Sequence, residues 1–551
     1  MQPTTPPIIW SIAGTDSGGG AGLSADQRAA DAFGVHLCPV VAAVTAQSTT
    51  AVTHTEAVSP ALLRAQLDAL ADDMPPRVIK TGLLGSAANA RVVAQMVDRL
   101  RERGPVALVV DPVLRASTGA AFAGEELLAA YRSELLPRAT VITPNRREAA
   151  ALLGLGGADT EPAPSDSRAT DTPALAARLQ ALGAGTVCIT GGDASDTLAN
   201  DWLQSPHAHG WLSLPRVHTP NHHGTGCTFA SSLAAALALG WVTADAAVLA
   251  KMATTHALRH ARAVGAGAGP VIAQPGFGND PTLLPRLSLD TLAPTTWRQR
   301  ERARDPGVYA IVDSAERVQA VLRARPTVPT IQLRMKRPAG IDDATWSRQL
   351  HDAIARSRHA AEAAGATLVI NDHWQLALRA GARALHLGQE DLLALTPADH
   401  AQLRAAREQG VMLGLSSHSL WELCRAAALL PDLIACGPVW PTTTKDMPWL
   451  PQGLDNLAWW AHMAPAPVVG IGGVLAPEQL RSVAEAGAAG GCVVRGLGED
   501  PSKTLPAWLN AWQAGQAGRS PVPALPHATL PVAGFSSPLG TEQGSPQTPS
   551  A

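Results

Sequence analysis

The chain has 551 residues, a formal net charge of -3 and 46% hydrophobic residues. That length calls for two large domains or three ordinary ones. A near-neutral balance supplies no long-range field to hold nucleic acid or an anionic membrane, which leaves small-molecule chemistry as the expected work of a globular chain. Six cysteines (Cys38, Cys188, Cys227, Cys424, Cys436 and Cys492) stand singly, with no CxxC pair. Such spacing builds neither a disulfide scaffold nor a zinc site and points to a reducing cytoplasm. The N-terminus, MQPTTPPIIWSIAG, lacks the basic and apolar regions of a signal peptide. The most apolar run, Cys227 to Val242, is interrupted by Ser231, Ser232 and Gly240 and falls short of the roughly 20 residues that span a bilayer. Neither export nor a membrane span is expected.

The first half alternates short β-branched runs with Ala/Leu-rich stretches: PIIWSIAG, LCPVVAAVTAQ, VIKTGLL, VALVVDPVL, ATVITPN and TVCITGG. That rhythm predicts βαβ units on a mostly parallel sheet, with ligands at the carboxyl ends of the strands. A polar insert from Gly156 to Pro173 reads as a surface loop, and the half ends near residue 280. Residues 281–306, which include WRQRERARDPG, read as a linker. From Tyr309 eight more strand candidates follow: YAIVD, TIQLRMK, TLVIND, ALHLG, VMLGLSSH, LIACGPVW, PVVGIGG and GGCVV. Eight strands with intervening helices predict a (β/α)8 barrel over residues 307–515, with functional groups on the loops after the strands. Residues 516–551, rich in Pro, Ser, Gly and Thr, are expected to be a disordered tail.

Two glycine-rich stretches in the first half could take an anion. AGTDSGGGAGLSAD follows the first strand, opens a helix and would aim Asp26 into a pocket. In HHGTGCTFASSLAAALALG, the residues Gly224, Thr225, Gly226 and Cys227 precede a long helix, so consecutive backbone N–H groups would face a phosphate. With IAGTD, TAQST, KTGLL, DPVL and TPNRREA in this order, the half resembles the hydroxymethylpyrimidine (phosphate) kinases of the ribokinase-like superfamily, over residues 8 to 278. The resemblance implies a three-layer α/β domain that phosphorylates 4-amino-5-hydroxymethyl-2-methylpyrimidine twice from MgATP. It puts Gly14, Asp26, Gln47 and Leu83 around the pyrimidine. It puts Asp111, Asn145 and Glu148 on Mg2+ and its waters, and Lys251 near the nucleotide phosphates. Cys227 would be the base, its thiol lowered by the helix N-terminus. Relatives carry Lys-Gly-Gly-His where this chain has Thr190, Gly191, Gly192 and Asp193, which puts local nucleotide contacts in question. His222 and His223 read as loop residues rather than metal ligands.

In the second half, QLRMK puts Gln332, Arg334 and Lys336 on one face of a strand. Asp372 and Asp391, on neighbouring loops beside these cations, suggest Mg2+ holding a polyphosphate. His386, within a strand, reads as a packed histidine. With GLSSH, GPVWPTTTK and GIGGV in order, residues 307 to 512 resemble thiamine phosphate synthase. The resemblance implies that Gln332, Arg334, Met335, Lys336, Asn371, Ser416 and Lys445 bind the pyrimidine diphosphate, with Mg2+ on Asp372 and Asp391. It implies that Thr442, Thr443, Thr444, Gly473, Val494 and Arg495 meet the thiazole phosphate. Arg495 departs from the family's serine and is expected to bind that phosphate as a fork donor.

The leading reading is therefore a bifunctional enzyme with small-molecule substrates, Mg2+, ATP as co-substrate, no nucleic-acid or membrane partner, and an open question of homo-oligomerisation. The alternatives are an active kinase, with pyridoxal as an additional substrate, joined to a barrel that is regulatory or only isomerises a thiazole.

Overall fold

The computed structural model describes residues 5–115, 122, 124–155, 171–192, 196–442 and 448–531. Its first half is built on ten strands: β1 (Ile8–Gly14), β2 (His36–Gln47), β3 (Val52–Ala57), β4 (Val78–Thr81), β5 (Ala107–Val110), β6 (Val141–Ile142), β7 (Thr186–Ile189), β8 (Leu198–Gln204), β9 (His209–Pro215) and β10 (Arg286–Leu287). They form one sheet in the order β10-β9-β8-β7-β6-β5-β4-β1-β2-β3. The central pairs, β2-β1-β4-β5-β6-β7, are parallel, and the edge pairs are antiparallel. Helices cover both faces, so β4, β5 and β7 are buried at every residue, and this explains their uninterrupted apolar runs. The chain leaves β1 toward β2 on one side and returns to β4 on the other. That reversal opens a crevice at the carboxyl ends of β1 and β4, where Gly14 and Leu83 lie.

The second half closes a barrel of eight parallel strands in chain order: β11 (Gly307–Val312), β12 (Thr330–Leu333), β13 (Thr367–Asn371), β14 (Ala384–Leu387), β15 (Met412–Ser417), β16 (Leu433–Cys436), β17 (Val468–Gly470) and β18 (Gly490–Val493). Alternate residues fill the interior, with Tyr309, Ile311, Val369, Ala384, Ala435, Val469 and Cys492 in one buried cluster. The eight strand candidates of the sequence all appear, in order. Both halves of the expected fold class, a three-layer α/β domain followed by a (β/α)8 barrel, are present.

Three expectations need correction. Strands β3, β8, β9 and β10 carry no strong apolar run and were not anticipated. The linker expected at 281–306 is docked: β10 pairs with β9, Trp211 Nε1 donates to Thr291 O at 2.8 Å, and Arg300 pairs with Asp432 of the barrel at 2.8 Å. The tail expected to be disordered from Gln516 is ordered as far as Pro531, because Leu525, Ala528 and Leu530 pack on the core and Thr529 is 2% exposed. Among the described residues, no helix is long and apolar enough to cross a membrane.

Two candidate active sites

The first site is a cavity of about 850 Å³ at the crevice, lined by Gly14, Gln47, Leu83, Asp111, Asn145, Glu148, Lys251 and the Gly224–Cys227 turn. The Thr225–Ala238 helix begins at Gly224, whose φ of 84° is left-handed. A Cβ there would sit 2.2 Å from the Gly20 carbonyl oxygen; only glycine lets the two glycine-rich loops touch. The first turn of any helix has amides without intrahelical acceptors, and here that turn lines the cavity. The Asn145 and Glu148 side chains cap the Arg146–Leu152 helix reciprocally, Oδ1 accepting from the Glu148 amide and Oε2 from the Asn145 amide, both at 2.9 Å.

Asp26 does not reach this cavity. It is fully buried behind Lys80, which donates to its two oxygens at 2.9 and 3.0 Å, while Ser11 and Ser231 donate at 2.6 and 2.7 Å. A carboxylate opening a helix cannot be told from the sequence to face the sheet, and it does so here because Lys80, on β4, needs a counterion. Asp16 takes the cavity position instead. Its Oδ1 accepts from the Gly18 amide, and its Oδ2 from the Gly20 and Ala21 amides and from His223 Nε2 at 2.8 Å. Burial works to raise the Asp16 carboxyl, but the His223 and amide hydrogen bonds outweigh it and hold it below the usual range. His223, expected as a loop residue, is thus a buried clasp, also 3.2 Å from Gln47 Nε2.

The electrostatics reverse the expectation for Cys227. Burial pushes its thiol up to about 12, against a lowering by Lys80, although the residue is only partly buried and lines the cavity. Burial likewise raises Asp111 to about 6 despite Lys80 at 3.9 Å, and Asp111 Oδ2 has no hydrogen-bond partner. Lys251 is engaged by Asp201 at 2.7 Å and the Ala199 carbonyl at 3.0 Å. Thr190 and Gly192 line the cavity; Asp193 lies outside the described residues.

The second site is a cavity of about 600 Å³ at the carboxyl end of the barrel, lined by Gln332, Arg334, Lys336, Asn371, Asp372, Asp391, Ser416, Thr442, Gly473, Val494 and Arg495. Met335, two residues past the end of β12, does not line it: its side chain packs against the core and its carbonyl lies 3.3 Å from His373 Nε2. Tyr309 OH donates to Gln332 Oε1 at 2.7 Å, and Gln332 Nε2 donates to Asn371 Oδ1 at 2.8 Å, which orients both amides. His386 is packed in the barrel as expected, yet it also borders the cavity: burial lowers it to about 4, and its Nε2 lies 2.8 Å from Ser416 Oγ. Asp372 and His373 have φ of 55° and 32°, a strained backbone of the kind that clusters at functional sites. Burial and then the facing Asp391 raise the Asp372 carboxyl. Among the described residues no group of three His, Cys, Asp or Glu could hold a metal alone. Thr443, Thr444 and Lys445 lie outside the described residues.

The sequence reading missed Tyr309, Asp16, His223, Lys80, His418, Glu422 and Trp449. Tyr309 had a signal, being one of only two tyrosines and on an inward strand face. Asp16 and His223 are 207 residues apart, and only tertiary structure joins them.

Comparison with known proteins divides the chain in the same way. Residues 16–272 match the family of phosphomethylpyrimidine kinases, and residues 308–497 that of thiamine monophosphate synthases. A probable thiamine biosynthetic bifunctional enzyme of Oryza sativa subsp. japonica is 32% identical over 527 residues, covering 90% of this chain and 86% of the relative. The thiamine biosynthetic bifunctional enzyme of Arabidopsis thaliana is 32% identical, covering 85% of each chain. A thiamine-phosphate synthase of Rhizobium etli is 42% identical over 37% of this chain and 93% of its own length. With two family matches on one chain and relatives matched over most of their length, the protein belongs to the family of bifunctional thiamine biosynthetic enzymes, a phosphomethylpyrimidine kinase fused to a thiamine-phosphate synthase.

Proposed function

We propose that the first cavity phosphorylates 4-amino-5-hydroxymethyl-2-methylpyrimidine twice at the expense of ATP. The barrel then joins the diphosphate to 4-methyl-5-(2-phosphoethyl)thiazole, releasing pyrophosphate and thiamine phosphate. The observation that carries this reading is that, of the expected residues that the structure describes, all but Asp26 and Met335 converge on one cavity at the carboxyl ends of the strands of each domain.

In the kinase cavity, Gly14, Gln47 and Leu83, with Asp16 and His223 behind them, hold the pyrimidine ring. Phosphoryl transfer needs positioning and charge neutralisation more than covalent chemistry. The amides of the Gly224–Cys227 turn receive the transferring phosphoryl group, and Lys80 and Lys251, each paired with a buried carboxylate, line the same cavity. Asp111, Asn145 and Glu148 offer hard oxygen donors that fit Mg2+ and its waters, and Asp111 Oδ2, which accepts no hydrogen bond and has Lys80 only at 3.9 Å, is an oxygen such an ion would satisfy. When bound, the ion would neutralise phosphate charge. Cys227, held neutral at the site, is assigned no proton in this reading.

In the barrel, the thiazole nitrogen attacks the pyrimidine methylene, a C–N bond forms, a C–O bond breaks and pyrophosphate leaves. The nitrogen attacks through a lone pair and has no proton to lose, so no general base is required. Tyr309, Gln332 and Asn371 orient the aminopyrimidine, and Arg334 and Lys336 meet the diphosphate. Asp372 and Asp391 face each other closely enough to raise one carboxyl, which fits Mg2+ shared with the diphosphate. Thr442, Gly473, Val494 and Arg495 surround the thiazole phosphate. We place the enzyme in a reducing compartment such as the cytoplasm, supported by six free cysteines.

The test is incubation of the purified chain with hydroxymethylpyrimidine, MgATP and thiazole phosphate. Thiamine phosphate and pyrophosphate are expected. ADP release without thiamine phosphate, in an arm supplied also with synthetic pyrimidine diphosphate, would overturn the reading of the barrel.

A further inference from the structure

The segment PVPALPHATLP, residues 521–531, has the composition of a solvated tail but is threaded between the two domains. At its start it lies against the kinase half: a Cβ on Gly278 would fall 2.1 Å from the Ala524 carbonyl oxygen. It then meets the Gly453–Met463 helix of the barrel. The His527 amide donates to Asn456 Oδ1 at 2.8 Å, Asn456 Nδ2 donates back to the His527 carbonyl at 3.0 Å, and His527 Nδ1 pairs with Asp455 at 2.9 Å. Thr529 comes last and is almost wholly buried. Its Oγ1 donates to the His418 carbonyl at 2.8 Å, and its own carbonyl accepts from the Leu450 amide at 2.7 Å.

Those two contacts join two stretches that border the barrel cavity, one at His418, which lines it, and the other at Leu450, which follows the lining residue Trp449. His418 and Glu422 follow β15 and line the cavity. The His418 Nδ1 lies 2.9 Å from Glu422 Oε2, and its ring is stacked on Trp449, a lining residue of the loop after β16, with centroids 5.6 Å apart and planes at 10°. Gln452 Nε2 also donates to the His418 carbonyl, at 2.7 Å. The barrel closes without this segment, because β11 pairs directly with β18. What the segment adds is a third tie, after the ring stack and the Gln452 hydrogen bond, between the His418 wall and the wall that carries Trp449.

We propose that residues 520–531 are a working part of the synthase, in which Thr529 is a positioning residue that sets the separation of these two walls, and with it the fit of thiazole phosphate. The proposal rests on reading the barrel cavity as the synthase site. The segment lies outside the span that matches the synthase family, which ends at residue 497, and the sequence assigns it no role.

The test uses the full chain, with the kinase as an internal control of folding. Thr529→Val keeps shape and removes the donor. One buried hydrogen bond is worth about 1 kcal/mol, or about a 5-fold change in an equilibrium constant. The KM for thiazole phosphate should rise about 5-fold, with synthase kcat and kinase kcat both within about 2-fold of wild type. Thr529→Ser, which keeps the hydroxyl, should restore the KM. Ending the chain after Arg519 should raise that KM more than about 10-fold, whereas ending it after Pro531 should change neither activity. Wild-type KM in Thr529→Val and in the chain ended at Arg519 overturns the proposal. So does a loss that Thr529→Ser shares, or one in which both activities fall together with Tm, since these mark a merely structural role. A wild-type chain that makes no thiamine phosphate from supplied pyrimidine diphosphate overturns the reading of the barrel itself, and this proposal with it.

Discussion

Asp245 offers a sharp test of how the two domains are joined. It lies in the first turn of the kinase helix Thr243–Arg259, is 1% exposed, and its Oδ1 accepts from the Trp421 amide at 3.0 Å, at the start of the barrel helix Leu420–Ala428. One domain thus caps a helix of the other. Burial pushes the carboxyl up to about 8, the Trp421 and Leu420 amides oppose the rise, and Glu422 adds to it. The folded protein therefore holds a proton that the unfolded chain has released. Stability falls as pH rises from the ordinary value of 3.8 toward about 8, and the slope flattens above that. Each pH unit in that window costs about 1.4 kcal/mol. The full window sets a ceiling of about 6 kcal/mol, which relaxation and water entry reduce to a few. Asp245→Asn keeps the acceptor and abolishes the titration, so it should match wild type near pH 4 and exceed its stability by about 2 kcal/mol or more at pH 8.5. Asp245→Ala loses the cap and should be about 1 kcal/mol less stable at pH 4. Denaturant unfolding monitored by tryptophan fluorescence between pH 4 and 9 reads both differences. If Asp245→Asn and wild type keep a constant difference across that range, the buried carboxyl is not carrying the proton and the argument fails.

Two other substitutions test the cavities. Cys227→Ala should lower kcat for the first phosphorylation less than about 10-fold, since a thiol pushed to about 12 keeps its proton at neutral pH; a loss of 100-fold or more would restore it as the general base. Arg495→Ser should raise the KM for thiazole phosphate about 10-fold or more, because a charge-assisted hydrogen bond to phosphate is worth about 2 kcal/mol. Steady-state synthase kinetics would refute this if the KM fell, which would mean that the guanidinium obstructs the phosphate.

Much of the architecture was legible because it is written in local periodicity. Fully buried parallel strands need continuous apolar runs, so β1, β4, β5 and β7 and all eight barrel strands announced themselves. The antiparallel strands β3 and β8–β10 did not, since antiparallel pairs tolerate polar residues and are recognised only by their partners. The residues at strand ends were legible for the same reason. Alternation put Gln332, Arg334 and Lys336 on one face, and the structure lines one cavity with all three. Met335, expected there from the resemblance, falls between them and does not line it.

What the sequence determined by itself was the pair of folds, their order, and the chemistry of residues whose side-chain direction follows from strand period or helix start. What only the tertiary structure decided was where each charge points and what it meets. Asp26 and Asp16 sit ten residues apart in one motif, yet the first neutralises buried Lys80 and the second clasps His223 across the cavity. Cys227 shares its helix N-terminus with amides that would lower a thiol in water, and burial reverses the sign. The tail from Gln516 reads as solvated because Pro and Gly dominate it, but three apolar side chains and Thr529 find a groove between two domains that no local pattern encodes. Periodicity is a property of neighbours along the chain, whereas desolvation and ion pairing depend on neighbours in space.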